Sequence, residues 1–119
     1  MATSDTGYGQ GKMPALGAHL MSAGYYTATL SGTLTLTMAY QNFLKLDPGG
    51  GNKTVNLPAE EGNSGAWFYI NNTADAGESL LVKDDGGSTI VTVSQNEAAI
   101  VVCDGSAWAH MGIITIALT

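Results

Sequence analysis

The runs Leu46-Asp-Pro-Gly-Gly-Gly51, Val55-Asn-Leu-Pro-Ala59, Trp67-Phe-Tyr-Ile-Asn-Asn72, Leu80-Leu-Val-Lys-Asp-Asp-Gly-Gly87, Thr89-Ile-Val-Thr-Val93 and Ala99-Ile-Val-Val-Cys-Asp-Gly-Ser-Ala-Trp108 follow one another with little between them. Short apolar runs alternate with Gly, Asp, Asn and Pro clusters, roughly every ten residues. No part of this stretch sustains a helical period. The rhythm predicts an all-β fold: a compact antiparallel β-sandwich or a jelly-roll-like barrel of about eight to ten short strands.

Upstream, Leu30, Leu34, Leu36, Met38 and Tyr40 fall on even positions, and Thr29, Ser31, Thr33, Thr35 and Thr37 on odd ones. Side chains alternate across a strand, so residues 27–40 read as one strand with an apolar face and a hydroxyl face. Threonine suits such a face because its β-branch is stiff at χ1. The hydroxyl row reads first as a solvated face; carbohydrate-contacting and ice-ordering faces share its chemistry. Asp84-Asp-Gly-Gly87 reads as a hairpin connection and Asp104-Gly105 as another turn.

The chain has 119 residues, which is one domain's length. Residues 1–24 differ from the rest, with glycines at Gly7, Gly9, Gly11, Gly17 and Gly24 and Pro14 among them. They read as an N-terminal arm, either disordered or ordered on a partner, ahead of a single β domain at 25–119. The single Cys103 excludes an intrachain disulfide. In its apolar run it reads as a buried filler.

Four lysines and no arginine face ten carboxylates, for a net charge of −6. Nucleic-acid binding is not expected, because nothing is available to neutralise phosphates. Docking on anionic lipid is disfavoured for the same reason, and no apolar run is long enough for a membrane helix. The first residues show no secretory signal, so synthesis in a reducing cytoplasm is expected.

Catalytic, cofactor and metal sites are not expected. His19 and His110 each stand without a ligand at zinc spacing. Ser106 follows Asp104-Gly105 as turn chemistry, not as a nucleophile elbow. Glu60-Glu61 and Asp84-Asp85 sit beside glycine in loops, and the latter lacks the calcium-loop pattern. Gly49–Gly51 precede Asn52-Lys53-Thr54 in the wrong order for a phosphate loop. Asn52-Lys-Thr54 and Asn71-Asn-Thr73 match the glycosylation pattern and read as idle. Tyr40, Trp67, Tyr69 and Trp108 suit core or interface packing, or an aromatic platform for sugar.

A sandwich strand has one covered face, so its other face should be polar. Trp67–Ile70, Leu80–Val82, Ile100–Cys103 and Ile113–Ile116 are apolar on both. Leaving those second faces wet costs about 25 cal/mol per Å2. The chain is therefore expected to be an oligomer, its interface drawn from residues such as Trp67, Tyr69, Trp108 and Ile114.

Leu46-Asp-Pro-Gly-Gly, Val55-Asn-Leu-Pro-Ala, Phe68-Tyr-Ile-Asn-Asn-Thr-Ala-Asp, Leu81-Val-Lys-Asp-Asp-Gly-Gly, Thr89-Ile-Val, Asn96-Glu-Ala and the Val102-Cys-Asp-Gly turn to Trp108 together resemble a β module of tailed-bacteriophage structural proteins. Over about residues 43–111 the chain is similar to capsid decoration (cement) proteins and to head- or tail-fibre modules. The resemblance implies a non-enzymatic, cofactor-free role on the outer capsid of a virion assembled in a bacterial host, as a trimer bound to the major capsid protein. The arm would then grip the capsid, through residues such as Tyr8, Met13, Leu16, Leu20 and Met21. The alternatives are a fibre or receptor-binding module contacting host surface glycans, and a small β-barrel enzyme.

Overall fold

The computed structural model describes residues 24–116, and its secondary structure there is entirely β. Nine strands follow in order: β1 (Tyr25–Thr29), β2 (Leu34–Thr35), β3 (Phe43–Asp47), β4 (Lys53–Asn56), β5 (Trp67–Asn72), β6 (Leu80–Lys83), β7 (Thr89–Val93), β8 (Glu97–Cys103) and β9 (Trp108–Thr115). They form two sheets. Sheet A has the order β1-β3-β5-β8-β9 and sheet B the order β2-β4-β6-β7. A shared apolar core joins the two sheets, which is the sandwich form of the expected fold.

The expected antiparallel pairing holds only for the later strands. β5–β8, β6–β7 and β8–β9 are antiparallel. β1–β3, β3–β5, β2–β4 and β4–β6 are parallel. Parallel neighbours need a long crossover, commonly a helix. Here the crossover is itself a strand of the other sheet. The chain climbs as three rungs, β1–β2, β3–β4 and β5–β6, each contributing one strand to each sheet. The rungs stack their inward residues in rows, such as Leu34, Val55, Val82 and Val91 in sheet B. In sheet A the matching row is Tyr26, Leu44, Ile70 and Ala99.

The strand read over residues 27–40 is two strands in two sheets. Chain direction breaks after Leu30, whose N–H donates to the Asp47 carbonyl at 2.8 Å. The Leu36 N–H then donates to the Asn56 carbonyl of the other sheet, also at 2.8 Å. The alternation survives the crossing: Leu30 and Leu36 are buried, and Thr29, Ser31, Thr33, Thr35 and Thr37 are exposed. Gly32 lies in this crossing and not in a strand.

Turn chemistry places the corners. Asp47 Oδ1 accepts from the Gly49 N–H at 2.8 Å, and Lys53 Nζ donates to the Pro48 carbonyl at 2.8 Å, shaping the β3-to-β4 crossing. Asp84 Oδ1 accepts from the Gly86 and Ser88 N–H groups at 3.0 and 2.8 Å, closing the β6–β7 hairpin where the sequence put one. Asp104 Oδ1 accepts from Ser106 and Ala107 at 2.8 and 2.9 Å in the β8–β9 hairpin. Those two donors hold its carboxyl below the usual carboxylate range. Gly105 in this turn has φ +96°, and a Cβ there would stand 3.2 Å from Ser64 Cβ, so glycine is needed on both counts.

Candidate assembly face

Trp108 is not on any outer face, which corrects its reading as an interface residue. It is 4% exposed, stacks on Phe68 with 6.0 Å between centroids, and its Nε1–H donates to the Pro58 carbonyl at 2.8 Å. It opens β9 on the inward side opposite Cys103, so its bulk fills the core between the sheets. Tyr40 also packs against the core, its neighbour Tyr26 meeting it edge-on at 5.1 Å. Cys103 is buried opposite Trp108, its Sγ accepting from the Gly105 N–H at 3.4 Å.

Trp67, Tyr69 and Ile114 do share the outer face of sheet A. The register places Tyr25, Phe43, Tyr69 and Ile100 in one row across β1, β3, β5 and β8. Beside it run Trp67, Val102 and Ala109 on one flank, and Thr27, Lys45, Asn71, Ala98 and Ile114 on the other, where Asn71 and Ala98 are already buried within the chain. The rings touch: Tyr25 to Phe43 at 5.7 Å and Phe43 to Tyr69 at 5.1 Å. The Lys45 ammonium lies 5.0 Å from the Tyr25 ring centre, a cation–π contact at the margin of the row. Phe43, Trp67 and Tyr69 line a shallow groove of about 370 Å3.

The outer face of sheet B is different in kind. Its outward positions are Thr35, Thr54, Asn56, Lys83, Thr89 and Thr92, with Leu81 as the one large apolar side chain among them. So the apolar second face inferred for Trp67–Ile70 and Ile100–Cys103 lies on a single sheet, and Leu80–Val82 contributes only Leu81 to the other.

β9 is the most exposed strand of sheet A. Met111 is 71%, Ile113 46% and Ile114 51% exposed. β9 runs as one strand to Thr115, kinked by a bulge opposite Ile100 where Gly112 takes φ +108°. His110 is exposed on this strand and its Nδ1 accepts from the Gly112 N–H at 3.1 Å. Because sheet A has five strands and sheet B four, Ile113 on the inward side stays half exposed.

The remaining chemistry-bearing side chains do not converge on this face. Among the described residues no three His, Cys, Asp or Glu side chains are placed to share a metal ion. Glu60 hydrogen-bonds Asp85 near Asp84 at the surface. Its own backbone N–H favours the ionised carboxyl, but the Asp85 hydrogen bond, partial desolvation and the charges of Asp85 and Asp84 together raise its pKa above the usual value. Asn71, in one of the two glycosylation patterns, is buried. Residues 1–23 of the arm, with its candidates Tyr8, Met13, Leu16, Leu20 and Met21 and with His19, lie outside the described residues.

Fold and surface together define an all-β, two-sheet module with one aromatic outer face. Comparison of the chain with family models, curated proteins and solved structures found no match.

Proposed function

We propose that the chain is a structural virion protein that binds the outside of a capsid as a trimer and stabilises the head. The observation that carries this reading is the contrast between the two outer faces. A free-standing sandwich needs both to be wettable; here one is a row of touching aromatic and aliphatic side chains on a chain with few surface charges. That composition suits a buried protein contact, where aromatic residues are enriched and charges depleted. The sequence resemblance to phage decoration modules supplies the kind of partner, the major capsid protein. The arm, residues 1–24, supplies the grip in this reading, and three arms per trimer give avidity beyond that of one.

A glycan-binding fibre tip is the less favoured reading. Sugar rings stack on flat aromatic platforms and need polar groups beside them. Here Phe43 and Tyr69 meet at 89° and Tyr25 and Phe43 at 51°.

The test mixes purified protein with undecorated capsids. Saturable, stoichiometric binding and a raised capsid melting temperature are expected. Deleting residues 1–24 should abolish binding and leave the β domain folded. Full binding by the truncated protein refutes the role given to the arm, and no binding by the intact protein refutes the reading as a whole.

A further inference from the structure

Edge strands usually carry charge, proline or great brevity to prevent pairing with another chain. Sheet A inverts this. Its charged residues sit on the interior strands, Lys45 and Asp47 on β3 and Glu97 on β8. Its two edges, β1 (Tyr25-Tyr-Thr-Ala-Thr29) and β9 (Trp108-Ala-His-Met-Gly-Ile-Ile-Thr115), carry neither a charged residue nor a proline. The contrast with β2, the two-residue edge of sheet B, is plain.

We infer that the occupant of these edges is a second copy of this chain, with β9 of one copy adding to β1 of the next, so that three copies close into a triangular prism. In it the aromatic outer faces of sheet A turn inward and the polar faces of sheet B turn outward. The inference rests on the assembly reading above and names its contact surface.

Four features lead here. A head-to-tail contact uses each edge once and closes without leaving an edge open. Along sheet A, β9 runs antiparallel to β8, β8 antiparallel to β5, and β5 parallel to β3 and β1, so β9 and β1 point the same way. A threefold axis along the strands preserves that direction, and the new pair is parallel, as most of the rung pairs already are. The edges are electrically neutral in a chain of net charge −6, so copies meet where they repel least.

The dimensions also fit. Strands lie about 4.8 Å apart, so five strands and the join give a prism side of about 24 Å, and the axis then lies about 7 Å from each sheet. Packed sheets stand about 10 Å apart, or about 5 Å from each to the midplane. The additional reach is what large rings supply. Trp67 and Tyr69 stand on the central strand β5, nearest the axis, and the smaller Ala109 and Ile114 stand at the corner.

The test is molar mass by light scattering of the intact chain, with no capsid present. Three times the 12.2 kDa chain mass is expected. Ile114→Lys at the corner and Tyr69→Lys on the inward face should each give the monomer mass with an unchanged β circular-dichroism spectrum. Thr92→Lys on sheet B should leave the trimer intact. Thr27 and Ile114 lie in one cross-strand row, so Thr27→Cys/Ile114→Cys should be joined between copies by a short bismaleimide and run as a covalent trimer, with either single variant running as a monomer. A monomeric or dimeric native chain overturns the inference, as does cross-linking by Ile114→Cys alone, which places β9 against β9. A monomer that still decorates capsids sinks this geometry and spares the functional reading. A trimer that ignores capsids does the reverse.

Discussion

Glu60 is a side chain whose charge its surroundings disfavour, because it faces Asp85 and Asp84. Its raised pKa means the folded protein holds that proton more tightly than the unfolded chain does. The sign follows: stability is lower above the folded pKa, where Glu60, Asp84 and Asp85 repel one another, and rises as pH falls through it. Glu60→Gln should therefore melt at a higher temperature than the native protein at pH 7, with the advantage shrinking toward acid pH. Equal melting curves across that range would remove the repulsion from the account. Trp108 makes the opposite kind of contribution. Trp108→Ala empties the space against Phe68 and should cost about 3–5 kcal/mol in urea unfolding. Trp108→Phe keeps a ring there and gives up the bond to the Pro58 carbonyl, for a loss of about 1–2 kcal/mol. If the two variants were equally stable, the stack would not be the source of the stability.

At the scale of elements, one buried amide ties the two sheets together. Asn72, at the end of β5, is 1% exposed. Its Nδ2 donates to the Glu78 and Val93 carbonyls, each at 2.9 Å, and its Oδ1 accepts from the Ala74 N–H at 2.8 Å. Val93 belongs to β7, so the amide spans from sheet A to sheet B. Asn72→Ala strands buried polar groups and should destabilise by about 2–4 kcal/mol. Asn72→Asp should be worse, because a carboxylate would face two carbonyls. An Asn72→Ala protein as stable as the native chain in urea would show that water replaces the amide. This residue was not legible in the sequence, where Asn71-Asn72 read as the polar end of a strand and a glycosylation pattern. The strands themselves were legible, since alternation and turn residues are local. Their partners were not. Pro48 and Gly49 mark where the chain turns, but a corner between sheets and a hairpin within one use the same residues. Only the Asp-Gly hairpins at Asp84–Ser88 and Asp104–Ala107, short enough to force adjacent antiparallel strands, were readable as pairings. For the same reason Trp67 and Tyr69 were found as outward apolar side chains, and Trp108 was placed outside when it closes the core.

At the scale of the whole molecule, charge bears on how the copies of the proposed trimer would meet. Each chain carries a net charge of −6, and bringing copies together sets like charges against one another. The proposed joins hold no ion pair, being built from Tyr25–Thr29 and Trp108–Thr115. Salt therefore has one electrostatic effect on assembly, the screening of that repulsion, with a Debye length of about 10 Å at 0.1 M and about 3 Å at 1 M. The apolar contacts are not weakened by it. The trimer should tighten as sodium chloride is raised from 0.05 to about 0.5 M, and its melting temperature should rise with protein concentration because only the folded chain assembles. An interface held by lysine–carboxylate pairs would do the opposite and loosen over the same range. Sedimentation velocity at a fixed low protein concentration distinguishes the two: a mass that falls with added salt would mean that charged surfaces, and not the neutral edges of sheet A, join the copies.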